Sequence, residues 1–185
     1  MPDGSLKLHG RVAAILGDNV DTDVIYPGRY LNITDREKTA EHLFELAHPE
    51  ILPSLHNGDF IVAGKNFGCG SSREQAAAAL KFASAGAVIA VSFARIFFRN
   101  AINLGLPAVV SATGYLECSI GDELEIDLVE GEILNFTKRR SIPAAALDAR
   151  AVELLGAGGL VSYLKQKYAI WKTTRSTALE GGRHA

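Results

Sequence analysis

The sequence predicts an α/β fold in which helices pack on a mostly parallel sheet, and three observations predict it. Residues 60–63, within a strand read over 59–63, and residues 87–91 and 106–110 are short, continuously apolar runs, the texture of strands buried on both faces. They alternate with helix-like stretches at residues 72–85 and 94–104, and strand–helix–strand spacing of this length implies right-handed crossovers between parallel strands. After residue 120 the texture changes. Residues 123–128 and 133–138 alternate polar and apolar around the turn Glu130-Gly131-Glu132, which reads as an antiparallel hairpin with one wet face.

The remaining elements follow in order. Residues 11–16 form a strand that ends in the turn signal Gly17-Asp18-Asn19. Residues 18–30 form a polar loop holding Asp21, Asp23, Pro27 and Gly28. Thr34 or Asp35 caps a helix whose apolar positions are Leu43, Phe44, Leu46 and Ala47, and Pro49 and Pro53 end it. The alanine-rich helix at 72–85 stops at Gly86, and the helix at 94–104 closes at Gly105. Residues 144–155 and 160–168 read as two helices split by Gly156-Ala157-Gly158-Gly159. Residues 1–168 are expected to form one domain, with a flexible tail at 169–185.

Composition narrows the class. With 185 residues, 48% hydrophobic content and a net charge of −2, the chain has the makings of a real core. No basic excess points to a nucleic-acid partner. No apolar run approaches the roughly 20 residues that span a bilayer. The N-terminus lacks the basic flank and apolar stretch of a secretory signal. Cys69 and Cys118 are too few for a disulfide framework and fit a reducing cytoplasm. They are also too few to hold an iron–sulfur cluster, and the histidines show no ligand-like pairing with them, so no metal is expected on this chain.

The segment Gly64-Lys65-Asn66-Phe67-Gly68-Cys69-Gly70-Ser71-Ser72-Arg73-Glu74-Gln75 carries the chemistry. A glycine-rich loop leaves a strand and brings two hydroxyls and a guanidinium to a helix start, where unpaired N–H groups attract anions. A simpler reading makes Ser71 or Ser72 the helix cap, with Ser72 and Gln75 as a capping box. Neither cap explains Arg73, a cation set against the positive end of a helix. Spacing alone leaves the two readings level. Asp18, Asp21 and Asp23 read most simply as a solvated acidic turn, and Arg95 and Arg99 as the basic face of an amphipathic helix. Cys69 has no histidine near it in sequence to act as a base, which makes it a poor candidate nucleophile.

Three motifs in register resemble the small subunits of the isopropylmalate dehydratase and homoaconitase group, which correspond to the swivelling domain of aconitases. They are Gly17-Asp18-Asn19-Val20-Asp21-Thr22-Asp23-Val24-Ile25 with Pro27 and Tyr30-Leu31; Asn66 to Glu74; and Ser92-Phe93-Ala94-Arg95-Ile96-Phe97 with Arg99-Asn100 and Gly105-Leu106-Pro107. The resemblance covers most of residues 7–165. It implies a swivel-type β/β/α domain and a two-subunit hydro-lyase that isomerises a small hydroxy-dicarboxylic acid by dehydration and rehydration. It further implies a [4Fe–4S] cluster on a separate large subunit and a heterodimer or higher assembly. No cofactor is then bound by this chain, and Cys69 is not a cluster ligand.

The resemblance also assigns roles. Ser71 maps to the catalytic base, Arg73 to the group that clamps a substrate carboxylate and Ser72 to a substrate hydrogen bond. Asp23 maps to the catalytic network. Asn32 and Ile33, after Tyr30-Leu31, fall where the group tunes substrate choice. An uncharged pair there fits an alkyl-substituted malate, with isopropylmalate in leucine biosynthesis expected first and dimethylmalate or a homoaconitase-type acid as alternatives. Gln75 departs from the histidine usual after Ser-Ser-Arg-Glu. It is the one feature that favours a different reading, a non-catalytic anion-binding module of the same fold.

Overall fold

Strand β1 (Lys7–Leu16) belongs to both halves of the sheet. The computed structural model describes residues 6–181. The first half of β1, Lys7 to Arg11, pairs antiparallel with β5 (Glu123–Asp127). From Val12 onward it pairs parallel with β2 (Phe60–Ala63), with a register shift between Val12 and Ala14. With β3 (Ala87–Ala90), β4 (Ala108–Val110), β6 (Glu132–Asn135) and β7 (Arg140–Pro143), these strands make a seven-stranded sheet in the order β4-β3-β2-β1-β5-β6-β7. The expected parallel sheet is its β4-to-β1 half. The expected hairpin is a three-stranded meander, β5-β6-β7.

The period-two rule sorts the parallel half into two cores. Ala14, Leu16, Ile61, Ala63, Val88 and Ala90 face the helices α4 (Glu74–Phe82) and α5 (Arg95–Leu104) and pack with Ala76, Ala77, Leu80, Phe97 and Ala101. Val12, Phe60, Val62, Ala87, Ile89 and Val109 face the other way and pack against Leu124, Ile126, Ile133 and Ile142 of the meander. The strands are thus covered on both sides, which is why their sequences read as unbroken apolar runs.

Several boundaries differ from the sequence expectation. The 18–30 loop holds a one-turn helix, α1 (Thr22–Ile25), and a 3-10 turn at Gly28–Tyr30. Helix α2 (Arg36–Glu41) is capped by Asp35, which accepts from the Lys38 amide at 3.0 Å, and it ends before Leu43. Leu43 and Phe44 are buried in the turn that follows, whereas Leu46 is 60% exposed. Helix α3 (Ile51–Ser54) precedes β2, and α6 (Gly114–Glu117) follows β4. Helix α4 ends through Ser84, at φ +65°, rather than at Gly86; the amides of Ser84 and Ala85 close the last turn onto Lys81 and Leu80. Gly105, at φ +76°, does close α5 as expected. Helix α7 (Ala149–Gly156) starts five residues later than the pattern suggests, and α8 (Leu160–Gly181) runs past Tyr168 into the expected tail, of which Gly182 to Ala185 lie outside the described residues.

Candidate active site

Parallel strands end at the same edge of a sheet, and ligands in open parallel sheets bind beyond that edge. Here the loops after β1, β2 and β3 are stitched together backbone to backbone. The Gly64 amide donates to the carbonyls of Leu16 and Gly17, the Asn19 amide to Lys65 at 2.7 Å, the Gly68 amide to Val20 at 2.8 Å and the Thr22 amide to Cys69 at 2.9 Å. On the other side, the Phe67 amide donates to the Ser92 carbonyl at 3.0 Å and the Ala94 amide to the Phe67 carbonyl at 2.9 Å, and Ser92 Oγ accepts from the Asn66 amide at 2.9 Å. Two single-residue parallel bridges result, Asp21 with Cys69 and Phe67 with Phe93. The β2 loop is therefore held between its neighbours by backbone hydrogen bonds on both sides, not a free coil.

Phe93 and Phe97 of the third motif, with Phe67 of the second, form the floor of the glycine loop. Phe67 packs edge-on to Phe97 with ring centres 5.2 Å apart, and Phe93 stacks on Phe97 at 6.1 Å. Arg95 and Arg99 are exposed on the outer face of α5, as the amphipathic reading expects. The glycines permit the close approach. A Cβ on Gly68 would overlap the Phe97 ring, and one on Gly70 would overlap the Asp21 carboxylate.

On this floor stand the candidate catalytic groups. Ser71 and Ser72 are exposed and Arg73 is partly buried. Neither serine caps α4. The helix begins at Glu74 with Arg73 in the N-cap position and no side-chain cap bond, so the capping-box reading of Ser72 and Gln75 does not hold. The Arg73 guanidinium instead turns to Asp23 and forms a short ion pair with its carboxylate. The Gly28 amide donates to the same oxygen, Asp23 Oδ1, at 3.0 Å. Asp21 caps α1 by accepting from the Asp23 amide at 2.6 Å, which fixes where Asp23 points. The hydrogen bond from Arg73, helped by its charge and by the Gly28 amide, holds the Asp23 carboxyl below its usual range. The carboxylate thus stays ionised at neutral pH.

The three aspartates do not converge. Asp18 accepts from the Lys65 amide at 2.6 Å, Asp21 caps α1 and only Asp23 faces a cation, so two of the three are structural, as a turn reading expects. Asn32 and Ile33 follow the 3-10 turn. The start of the same loop reaches the ion pair at Gly28, whose amide donates to Asp23 Oδ1 at 3.0 Å. Sequence reasoning missed a second cluster behind this loop: Arg29, Tyr30 and His42 gathered on Glu45. No local pattern marks Glu45, which lies in a segment read as an apolar helix face.

Among the described residues, no group of three or more His, Cys, Asp or Glu side chains is arranged to hold a metal. Burial and the neighbouring Asp21 carboxylate raise the Cys69 thiol, and burial pushes Cys118 up to about 11. Both are protonated at neutral pH and poor nucleophiles. Thiol titration of the native chain with an alkylating reagent at neutral pH is expected to be slow at both positions and complete only after denaturation. Fast alkylation of Cys69 would show that its thiolate is more accessible than this environment allows.

A β/β/α domain with a glycine-rich loop zipped into the edge of its parallel sheet defines an aconitase-type domain, and residues 54–112 match the family model described as the aconitase C-terminal domain. The chain is 49% identical over 151 residues to the 3-isopropylmalate dehydratase small subunit of Moorella thermoacetica, spanning 82% of this chain and 91% of that protein. It is likewise 49% identical to the methanogen homoaconitase small subunit of Methanothermobacter thermautotrophicus, over 85% of this chain and 91% of that one. The crystal structure of 3-isopropylmalate dehydratase from Methanocaldococcus jannaschii superposes with a TM-score of 0.84 at 45% identity, covering 91% of this chain and 99% of that chain. The chain belongs to the family of 3-isopropylmalate dehydratase and homoaconitase small subunits. No helix among the described residues is long and apolar enough to cross a membrane.

Proposed function

We propose that this chain is the small subunit of a two-subunit hydro-lyase that interconverts isopropylmalate isomers, and that Ser71, Arg73 and Asp23 are its share of the active site. The observation that carries the reading is the Asp23–Arg73 pair beside exposed Ser71, built from two loops that meet only because the sheet edge brings them together. The reading treats Ser71 Oγ as the acceptor of the proton on the substrate carbon. The electron pair left behind becomes the double bond as the hydroxyl leaves the adjacent carbon; water then adds in the opposite sense, its hydroxyl to the carbon that lost the proton and a proton to the carbon that lost the hydroxyl, which gives the isomer.

A serine hydroxyl is a weak base and needs a setting that favours its anion. The partly buried guanidinium of Arg73 and the uncapped first amides of α4, both close to Ser71 in sequence, support this reading. Arg73 spends one nitrogen on Asp23 and keeps further donors in its planar fork for a substrate carboxylate. Ser72 adds a hydroxyl from the same loop, and the uncharged Asn32 and Ile33 suit an alkyl side chain better than a third carboxylate. Two cysteines far apart in sequence, both with raised pKa, are a poor fit to an iron–sulfur cluster. The [4Fe–4S] cluster, the Lewis acid for the departing hydroxyl, is accordingly assigned to the large subunit.

The test is reconstitution. The purified chain alone is expected to show no dehydratase activity and no cluster absorbance. Mixing with a cluster-loaded large subunit is expected to produce turnover of isopropylmalate faster than of dimethylmalate or homocitrate. Turnover by this chain alone, or a preference for the tricarboxylic acid, would overturn the subunit or the substrate part of the reading.

A further inference from the structure

We infer that Glu45 is a positioning residue that sets the 28–33 loop, and with it Asn32 and Ile33, against the Asp23–Arg73 pair. The inference rests on the substrate-contact reading of that loop proposed above. Glu45 lies in the turn after α2, outside every motif discussed so far, yet its carboxylate is the convergence point of the loop's outer side. Oε1 accepts from the Tyr30 hydroxyl at 3.0 Å and from Arg29 Nη2 at 3.2 Å, and Oε2 lies 2.7 Å from His42 Nδ1. The Tyr30 ring stacks on His42 with centroids 3.6 Å apart and planes 7° off parallel, and the Arg29 guanidinium sits 4.8 Å from the Tyr30 ring centre.

The turn that carries Glu45 is itself held in an unusual conformation. Phe44, fully buried, adopts φ +55°, a left-handed conformation that a bulky residue avoids unless its surroundings impose it. Its amide donates to the Ile25 carbonyl at 2.9 Å, which ties the turn to the end of α1, two residues from Asp23. The next residue is Glu45. On its inner side the loop is held by the Gly28 amide on Asp23 and by the Tyr26 hydroxyl on the Tyr30 carbonyl at 2.9 Å. Glu45 closes the outer side. The loop is clasped between the ion pair and Glu45, and the uncharged pair Asn32 and Ile33 is carried at its far end.

The experiment uses the assembled two-subunit enzyme with isopropylmalate. Glu45→Ala is expected to raise KM about 10-fold with kcat changed less than about 3-fold, because a loosened loop weakens substrate binding without touching the proton acceptor. Glu45→Gln still accepts from Tyr30 and is expected to fall between the two. Preference for isopropylmalate over homocitrate is expected to narrow in the same order. Should Glu45→Ala fail to assemble, Tyr30→Phe removes one bond to the carboxylate while keeping the ring stack, and the same KM change in smaller degree is expected. Unchanged KM and unchanged preference in a folded, assembled Glu45→Ala or Tyr30→Phe enzyme would overturn the inference. A fall in kcat with KM unchanged would also overturn it. If the wild-type complex does not turn over isopropylmalate, the functional reading fails first, whatever Glu45 does.

Discussion

Ser71→Ala is expected to abolish turnover in the reconstituted enzyme while leaving the fold and subunit assembly intact. Positioned proton transfer contributes about 10²- to 10⁴-fold to a rate, so the loss is expected to reach at least that range. The clean separation of activity from stability follows from how Ser71 is held. Its side chain is exposed, so removing one oxygen leaves no cavity. Its backbone carbonyl, which accepts from the Arg73 amide at 2.8 Å and from Thr22 Oγ1 at 3.5 Å, is untouched by the change. Exposed substitutions of this kind usually move stability by less than about 0.5 kcal/mol. The measurement is kcat on isopropylmalate together with co-elution of the two subunits. Wild-type turnover by the assembled variant would remove Ser71 from the proton path.

Asp23 constrains how such data are read against pH. Its folded pKa lies below the ordinary value of 3.8, because Arg73 and the Gly28 amide favour the ionised form. A depressed carboxyl contributes stability that is present above the ordinary value and is lost as pH falls through the lower, folded one. The carboxylate is about half exposed, so that contribution is small, as for most solvent-screened pairs. An activity loss that begins well above pH 4 therefore belongs to some other group, and the Asp23–Arg73 pair stays intact across it.

What the sequence makes legible is what local physics decides. The strands β2, β3 and β4 are buried on both faces, so their apolar runs announce them, and Gly105 announces the end of α5. Misreadings fall where distant partners outbid local preference. Ser72 and Gln75 have the spacing of a capping box, yet the helix starts two residues later because Arg73 is drawn out to Asp23, fifty positions away. Residues 144–148 look helical in their alanines. They form no helix, because the amides of Ala144, Ala145 and Leu147 bond to Gly131, Val110 and Leu128 and tie the segment to the sheet. The same logic hid Glu45, whose partners Arg29 and Tyr30 lie in another loop.

Gly68→Ala is expected to be strongly destabilising. Gly68 sits at φ +74°, where an L-residue costs about 1–2 kcal/mol. Its amide is bonded to the Val20 carbonyl, so the backbone cannot simply rotate away. A Cβ there would overlap Phe97, a ring only 2% exposed and packed against both Phe67 and Phe93. Overpacking of this kind adds about 1–3 kcal/mol. The two effects together amount to about 2–5 kcal/mol, a large share of the roughly 5–15 kcal/mol that holds a domain folded. For a chain of this size that corresponds to a fall in Tm of about 4–20 °C. Gly156→Ala is the matched control. That glycine is helical, and a Cβ on it would meet nothing within 4 Å, so the change is expected to be neutral or slightly stabilising. Thermal unfolding of the two variants side by side tests whether the glycine loop is held by its contact with Phe97. Equal midpoints would mean that Phe97 can give way, and that the floor under Ser71 is softer than its packing implies.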